Sequence, residues 1–157
     1  MDDARKVIAE LKKQANPRNA AGMARFGITG KNVLGGPSVP GLRKMAKKIG
    51  KNHEMARELW ASGIHEARLL AAFIDDPAKV TPGQMEQWAA GFDSWDVCDQ
   101  VCSNLFDKTP YARAKIFKWV KDRREFVKRT GFTLMACLAV HDKTAADRDF
   151  LKFFPLI

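Results

Sequence analysis

Residues 93–99 combine carboxylates with an aromatic ring at a spacing that could support chemistry. The segment reads Asp93-Ser94-Trp95-Asp96-Val97-Cys98-Asp99. If it is helical, Trp95 and Asp99 are four residues apart and share one face. A carboxylate beside an aromatic face could stabilise a cationic ligand, because both groups attract positive charge. The structural alternatives are that Trp95 packs in the core and that Asp99 is a solvated helix carboxylate.

The charge changes sign along the chain. Residues 1–52 hold 12 Lys/Arg against 3 Asp/Glu, and residues 108–129 hold nine bases against two acids, within a net charge of +9. Residues 81–107 hold no base and five acids, which are Glu86, Asp93, Asp96, Asp99 and Asp107. Basic segments attract polyanions such as nucleic acid, but lysine-rich helices also simply keep a protein soluble. Charge alone leaves both interpretations open.

Length and composition predict one soluble domain. A chain of 157 residues with 46% apolar content can bury a substantial core, so residues 1–157 are expected to form a single helical-repeat domain. No apolar run approaches the roughly 18 residues that a membrane span requires, and the charged N-terminus lacks the apolar stretch of a signal peptide.

The three cysteines predict reduced thiols. Cys98, Cys102 and Cys137 form no disulfide framework, so a reducing cytoplasm is the simplest setting. Cys98 and Cys102 have ligand-like spacing, but the remaining ligands of a metal site are missing. We therefore predict buried thiols, with neither a metal nor another cofactor.

The sequence predicts helices throughout. Capping residues recur at Asn16, Ser38, Asn52, Thr81, Ser94, Thr109 and Thr144, several of them followed by proline. Stop signals lie at Gly50, Gly63, Asp76-Pro77 and Gly91. The glycine-rich segment 27–37 is predicted to be a loop, and no stretch shows the sustained alternation of a half-buried strand.

Three of the predicted helix starts repeat at nearly constant spacing. Asn52, Thr81 and Thr109 are 29 and 28 residues apart, and the helices that they begin carry Trp60, Trp88 and Trp119, which we assign to the core. Second helices are predicted at His65–Asp75, Ser94–Phe106 and Glu125–Val140. The pattern predicts a curved stack of antiparallel helix pairs, in which the second helices could bring together Arg68, Asp99 and Arg129. An ordinary helical bundle is the alternative.

Several segments together resemble the AlkD-like family of DNA alkylation repair glycosylases, which are built from HEAT-like repeats. The resemblance extends from residue 20 to residue 140. Its segments are Gly22–Gly27, Pro40-Gly41-Leu42-Arg43, Glu58-Leu59-Trp60, Glu66-Ala67-Arg68, Ser94–Asp99 and Phe126-Val127-Lys128-Arg129. Family members usually continue for several more helices, so we expect this chain to lack C-terminal helices that the family has.

The resemblance implies a function and a set of site residues. The family cleaves the N-glycosidic bond of N3- and N7-alkylated purines in double-stranded DNA. Asp99 would be the catalytic carboxylate, Trp95 would lie against the sugar–phosphate backbone, and Arg129 would hold a phosphate. Further DNA contacts are expected from basic residues of the two basic segments, namely Arg25, Arg43, Lys44, Lys47 and Lys128. The alternative is a non-catalytic helical-repeat scaffold that binds DNA or protein.

Overall fold

Every regular element of the structure is helical. The computed structural model describes residues 3–157. The α-helices are α1 (Ala4–Lys13), α2 (Pro17–Ala24), α3 (Val39–Ile49), α4 (His53–Ala61), α5 (His65–Ile74), α6 (Pro82–Ala90), α7 (Trp95–Asn104), α8 (Ala112–Trp119), α9 (Glu125–His141) and α10 (Asp147–Leu151). Two 3-10 turns, Phe106–Lys108 and Phe154–Leu156, follow α7 and α10. The all-α prediction is confirmed, and within the described range no helix is both long enough and apolar enough to span a membrane.

Four helices of the chain pack side by side in one layer. Helix α3 lies against α5, α5 against α7, and α7 against α9, so these four helices form one layer. Helix α4 packs on α5, and α8 packs on α9. Helix α6 packs on α9 more than on α7, its predicted partner. The predicted second helices correspond to α5, α7 and α9. This layer places α7, with its Trp95 and Asp99, between a helix of the preceding pair and a helix of the following pair.

Local capping chemistry explains most helix starts. The side chains of Asn16, Asn52 and Thr81 each accept a hydrogen bond from the backbone N–H three residues later. Ser38 and Ser94 also precede helices as predicted, although neither hydroxyl caps the helix. The side chains of Asn16, Asn52 and Thr81 satisfy N–H groups that the first turn of a helix leaves without an internal partner.

Two predicted helix starts are wrong. The hydroxyl of Thr109 donates to the carbonyl of Phe106 at 2.8 Å and closes a 3-10 turn, so α8 begins only after Tyr111. The hydroxyl of Thr144 donates to the Asp142 carboxylate at 2.8 Å, and α10 begins after Ala146. In both places a local side-chain hydrogen bond competes with helix capping, as Ser and Thr often allow.

The core joins the repeats through a row of aromatic rings. Trp60, Trp88 and Trp119 are all buried, as predicted. The rings of Trp60 and Trp88 are stacked, with centroids 4.1 Å apart and planes 4° from parallel. Phe106 connects this pair to Trp119, with its ring centroid 6.1 Å from that of Trp119. The buried tryptophans of successive repeats are therefore connected through the core, two of them directly and the third through Phe106.

An ion-pair cluster joins α6 to α8. Glu86 accepts hydrogen bonds from Lys115, from Lys118 at 2.9 Å and from the Trp119 indole at 3.2 Å. Burial alone would raise the pKa of Glu86, but the hydrogen bonds from these three donors lower it to about 2. Glu86 is therefore ionised at neutral pH and fixes the spacing of two neighbouring repeats.

The predicted loop at residues 27–37 is held against α5 by a buried carboxylate. Glu66, which is 2% exposed, accepts hydrogen bonds from the backbone N–H groups of Leu34 at 3.0 Å and Gly35 at 2.8 Å. Gly35 has a φ of +65°, and a Cβ there would lie 2.4 Å from backbone atoms of α2 and its cap. A side chain at position 35 would therefore push the loop off α2.

Candidate active site and nucleic-acid interface

Asp99 and Arg129 form a bidentate pair between α7 and α9. The Nε and Nη2 atoms of Arg129 donate to the two carboxylate oxygens of Asp99 at 2.9 and 2.7 Å. Thr133, one turn after Arg129, donates its hydroxyl to Asp99 Oδ1 at 3.2 Å. The pairing follows from the fold, because packing of α7 on α9 brings together residues that are 30 positions apart. Planar guanidinium groups are well suited to this two-point contact.

The Asp99–Arg129 pair remains partly open to solvent. The side chain of Asp99 is 31% exposed and that of Arg129 is 42% exposed. The hydrogen bond to Asp99 raises the pKa of Arg129 above its already high ordinary value. Exposed ion pairs contribute little net free energy, typically below about 1 kcal/mol. A phosphate that enters the site can therefore compete for the guanidinium at small cost.

Trp95 lies at the surface one turn before Asp99, and a distant segment holds it in place. Its side chain is 39% exposed, and its indole N–H donates to the Phe26 carbonyl at 2.8 Å. The Phe26 side chain is itself 75% exposed. Sequence reasoning assigned no role to Phe26, because 69 residues separate it from Trp95 and no local pattern connects them.

Each of the five acids in the segment 81–107 is paired with a lysine, an arginine or a histidine. The pairs are Glu86 with Lys115 and Lys118, Asp93 with Arg68, Asp96 with His65, Asp99 with Arg129, and Asp107 with Lys108 and His141. The acidic segment therefore supplies one half of a set of ion pairs, which explains how a basic protein accommodates it.

Arg68 does not join the Asp99–Arg129 pair, contrary to the arrangement that we expected. Its guanidinium lies over the Trp60 ring, 5.0 Å from the centroid. It donates to the Gly91 carbonyl at 3.1 Å and approaches Asp93 at 3.5 Å. Arg68 thus stabilises the end of α6 instead of contributing to a shared site on the layer.

Two of the predicted DNA-binding residues line a basic groove, which we define by Arg43, Lys47, Lys51, Phe73, Asn104 and Lys108. The groove has a volume of about 340 Å³. Arg43 lies over the Phe73 ring at 4.5 Å and donates to Gln100 of α7 at 3.2 Å. Burial is the first cause of the lowered pKa of Lys51, and Lys108 lowers it further. Sequence reasoning missed Lys51 and Lys108, since the groove forms only when α3, α5 and α7 are packed.

The other three predicted DNA-binding residues lie elsewhere on the surface. Arg25, Lys44 and Lys128 are exposed. Arg25 directly precedes Phe26, whose carbonyl accepts from Trp95, and Lys128 directly precedes Arg129 of the ion pair. Lys44 follows Arg43 on α3 and does not line the basic groove.

The cysteines are buried free thiols, as predicted. Cys98 lies 3.3 Å from the Thr130 hydroxyl, which ties α7 to α9 directly beneath the Asp99–Arg129 pair. Burial raises the pKa of Cys137 to about 11. Among residues 3–157, no three His, Cys, Asp or Glu side chains are grouped so that they could hold a metal ion.

A family model described as DNA alkylation repair enzyme matches residues 7–154. The chain belongs to this family. The match includes all of the helices that carry the candidate site, and it confirms the resemblance on which the site assignment was based.

Two individual proteins of known sequence or structure extend this comparison. The uncharacterised protein Lin0241 of Listeria innocua serovar 6a is 27% identical over 128 residues, which are 80% of this chain and 57% of that protein. A solved structure is described as a new family of proteins related to the HEAT-like repeat DNA glycosylases with affinity for branched DNA structures. It matches with a TM-score of 0.83 and 22% identity over 99% of this chain and 66% of its own. The chain has the HEAT-like repeat fold and spans less than two thirds of both proteins.

Proposed function

We propose that this member of the DNA alkylation repair enzyme family is a glycosylase that hydrolyses the N-glycosidic bond of cationic N3- or N7-alkylated purines in duplex DNA. The observation that carries the proposal is the bidentate Asp99–Arg129 pair beside the exposed ring of Trp95. The pair combines a carboxylate for the developing cation with a guanidinium for the adjacent phosphate.

The chemistry of the substrate explains why one carboxylate suffices. Many glycosidases use two carboxyl groups, one of which protonates the leaving group. A purine alkylated at N3 or N7 is already cationic and leaves as a neutral base, so no general acid is needed. The remaining tasks are stabilisation of positive charge on the sugar and positioning of water, which Asp99 performs in this proposal.

Arg129 couples DNA binding to the availability of Asp99. In the free protein both carboxylate oxygens accept hydrogen bonds from Arg129, and one of them also accepts from Thr133. When a phosphate draws the guanidinium away, the Asp99 carboxylate gains room for water and for the sugar. Thr133 keeps the carboxylate oriented during this exchange. Trp95 then offers a flat apolar surface and a π face that attracts cations.

The decisive experiment is single-turnover release of 7-methylguanine or 3-methyladenine from methylated duplex DNA. We expect Asp99→Asn to reduce the rate by roughly 10²–10³-fold, as loss of one preorganised electrostatic group does in other enzymes. Binding should persist or tighten, because a negative charge facing phosphates is removed. Asp147→Asn, which changes an exposed acid on α10, is the matched control and should leave the rate unchanged. An unchanged rate in Asp99→Asn would remove the assigned role.

A second candidate function is binding of DNA without turnover. The basic groove favours this function, because four cationic side chains line it away from the Asp99–Arg129 pair. These are Arg43, Lys47, Lys51 and Lys108. The solved relative with affinity for branched DNA is a reason to include a four-way junction among the ligands. A pure binding protein would hold DNA with a steep salt dependence and release no base from methylated duplex. Release of base at any rate that depends on Asp99 would exclude this second candidate.

A further inference from the structure

One face of α1 carries charges that alternate in sign. Asp3, which caps the helix, is followed by Lys6, Glu10 and Lys13 at intervals of three, four and three residues. Residues at these intervals follow one another along a single face of a helix. We call these four residues the charge stripe. Its order from the beginning of α1 to the end is acid, base, acid, base.

The charge stripe lies at the surface and has hydrogen-bonding capacity to spare. Its two lysines are exposed and its two acids are half-buried. The core-facing side of α1 is formed by other residues, which are Ala4, Val7 and Leu11. Asp3 Oδ1 accepts from the Arg5 N–H at 2.8 Å, and Glu10 Oε1 accepts from the Gln14 amide at 2.9 Å. Each carboxylate therefore has a second oxygen that a further partner can reach.

The order of charges in the stripe is complementary to itself when the helix is turned end over end. Around a two-fold axis at the height of Ile8, Asp3 of one copy faces Lys13 of the other, and Lys6 faces Glu10. Each of these contacts occurs twice, because the axis repeats it. A symmetric interface between identical chains requires this property, since residue i contacts residue j while j contacts i.

The surface around α1 extends the same polarity. At the beginning of α1 one depression is lined by Arg5 and by three acids, which are Asp3, Glu54 and Glu58. At the end of α1 the lining of a second groove includes Lys13 and, from α3, Lys48. In the two-fold arrangement the acidic end of each copy meets the basic end of the other, which adds α3 and α4 to the complementary surface.

The groove between α1 and α3 favours a second copy over a nucleic acid. It has a volume of about 510 Å³, and Ala9 and Met45 supply apolar surface in its lining. Glu10 also lines it, so a phosphate backbone in the groove would meet a like charge. A second α1 helix instead presents Lys6 to that carboxylate, and it matches the spacing of the stripe because both helices have the same rise per residue.

We propose that two copies of this chain form a symmetric dimer in which the two α1 helices lie antiparallel along their charge stripes. Exposed ion pairs are individually weak and are screened by salt. We therefore expect a dimer that forms at high protein concentration and dissociates as the ionic strength rises. No residue of the stripe belongs to the Asp99–Arg129 pair or to the basic groove, so the dimer can be tested independently of the proposed function.

The test is analytical ultracentrifugation of the full chain at low ionic strength, from about 10 µM to about 1 mM protein. The wild type should dimerise within this range. Lys6→Glu and Glu10→Lys should each raise the dimer Kd by at least about tenfold, because each turns two ion pairs into like-charge contacts. Lys12→Glu is the matched control, since it makes the same charge change at an exposed residue of α1 outside the stripe. Its Kd should equal that of the wild type.

Mixing the two single variants separates the pairing from any effect on folding. The copy with Lys6→Glu is acidic at both positions and the copy with Glu10→Lys is basic at both, so every contact between them is attractive. The mixture should therefore form a mixed dimer at least as stable as that of the wild type. The double variant Lys6→Glu/Glu10→Lys restores the same contacts within one chain and should dimerise as well.

Four results would overturn the dimer. They are a wild type that stays monomeric over the whole range, a wild-type dimer that neither substitution weakens, an equal loss in Lys12→Glu, and no recovery on mixing. A monomeric wild type whose duplex affinity falls in Lys6→Glu would assign the stripe to DNA instead. Circular dichroism checks folding, and Lys13→Glu, which places an acid opposite Asp3, replaces any single variant that does not fold.

Discussion

Asp96 and Asp99 lie within one turn of α7 and yet belong to two different environments. Asp96 pairs with the buried His65 of α5. Asp99 pairs with the half-exposed Arg129 of α9 on the side that faces solvent. Burial is the first influence on the pKa of Asp96 and raises it, but contacts with His65, Ser94 and the Val97 backbone lower it below its ordinary value.

The comparison shows that one helix can carry both a buried carboxylate that stabilises the fold and an exposed carboxylate that is available to a ligand. The side chains of the buried pair are only 3% and 13% exposed, so leaving one partner unpaired is costly. The exposed pair can exchange its partner for a phosphate. Because α7 is held between α5 and α9, the two pairs point in different directions from the same turn. Four experiments test or refine this contrast.

The largest expected effect is on stability. Asp96→Ala leaves His65 without its acidic partner in a buried place, so the free energy of unfolding should fall by about 3 kcal/mol. Asp99→Ala removes an exposed pair and should reduce it by less than about 1 kcal/mol. Urea unfolding at pH 7 measures both. Equal losses in the two variants would show that the environments do not differ as described.

The next effect concerns the geometry of the exposed pair. Arg129→Lys keeps the positive charge but loses the two-point contact, so single-turnover excision should slow by about tenfold. Arg124→Lys is the matched control, because Arg124 also forms a bidentate pair, with Asp122, on an exposed loop outside the candidate site. A rate in Arg129→Lys equal to that of the control would mean that charge alone matters at position 129.

A smaller effect is expected in the basic groove. Lys108→Ala should weaken duplex binding severalfold and reduce the slope of log K against log salt by about 1, as loss of one phosphate contact does. Arg57→Ala on α4, outside the layer that carries the groove, is the control. Fluorescence anisotropy at several salt concentrations measures both variants. A slope unchanged from that of the wild type would remove Lys108 from the interface.

The smallest effect is a pH dependence that belongs to Asp96. Its folded pKa is below its ordinary value, so its contribution to stability is present above the unfolded pKa of about 4. The contribution is lost as pH falls through the lower folded pKa. The difference in unfolding free energy between wild type and Asp96→Asn should therefore shrink between pH 5 and more acidic pH. A difference that stays constant with pH would contradict this account.

The sequence allowed prediction of local features and of the repeat. Caps at Asn16, Asn52 and Thr81 act through backbone groups three residues away, so their effect is visible in a short segment. Thr109 was misassigned because the Phe106 carbonyl, also close in sequence, competes for its hydroxyl. The three core tryptophans follow from the repeat, since equivalent positions of stacked repeats meet in the interior.

The site could be predicted only in part. Asp99 and Arg129 were assigned together because of the family resemblance, and packing of α7 on α9 explains their contact. Asp96 follows Ser94 in the sequence, but its main partner is His65 on another helix. No spacing rule links these residues, so contacts of this kind require the packed structure. The roles of Asp99, Trp95 and Arg129 in catalysis stay predictions.

The buried Glu66 carboxylate has a consequence for the motion of the loop at residues 27–37. The backbone N–H groups of Leu34 and Gly35 donate to it and are shielded from water while the loop lies on α5. Exchange of these two amide protons with solvent requires local opening. Their exchange rates therefore record how often the loop lifts away from α5. Measuring these exchange rates with and without DNA would show whether DNA binding changes how often the loop opens.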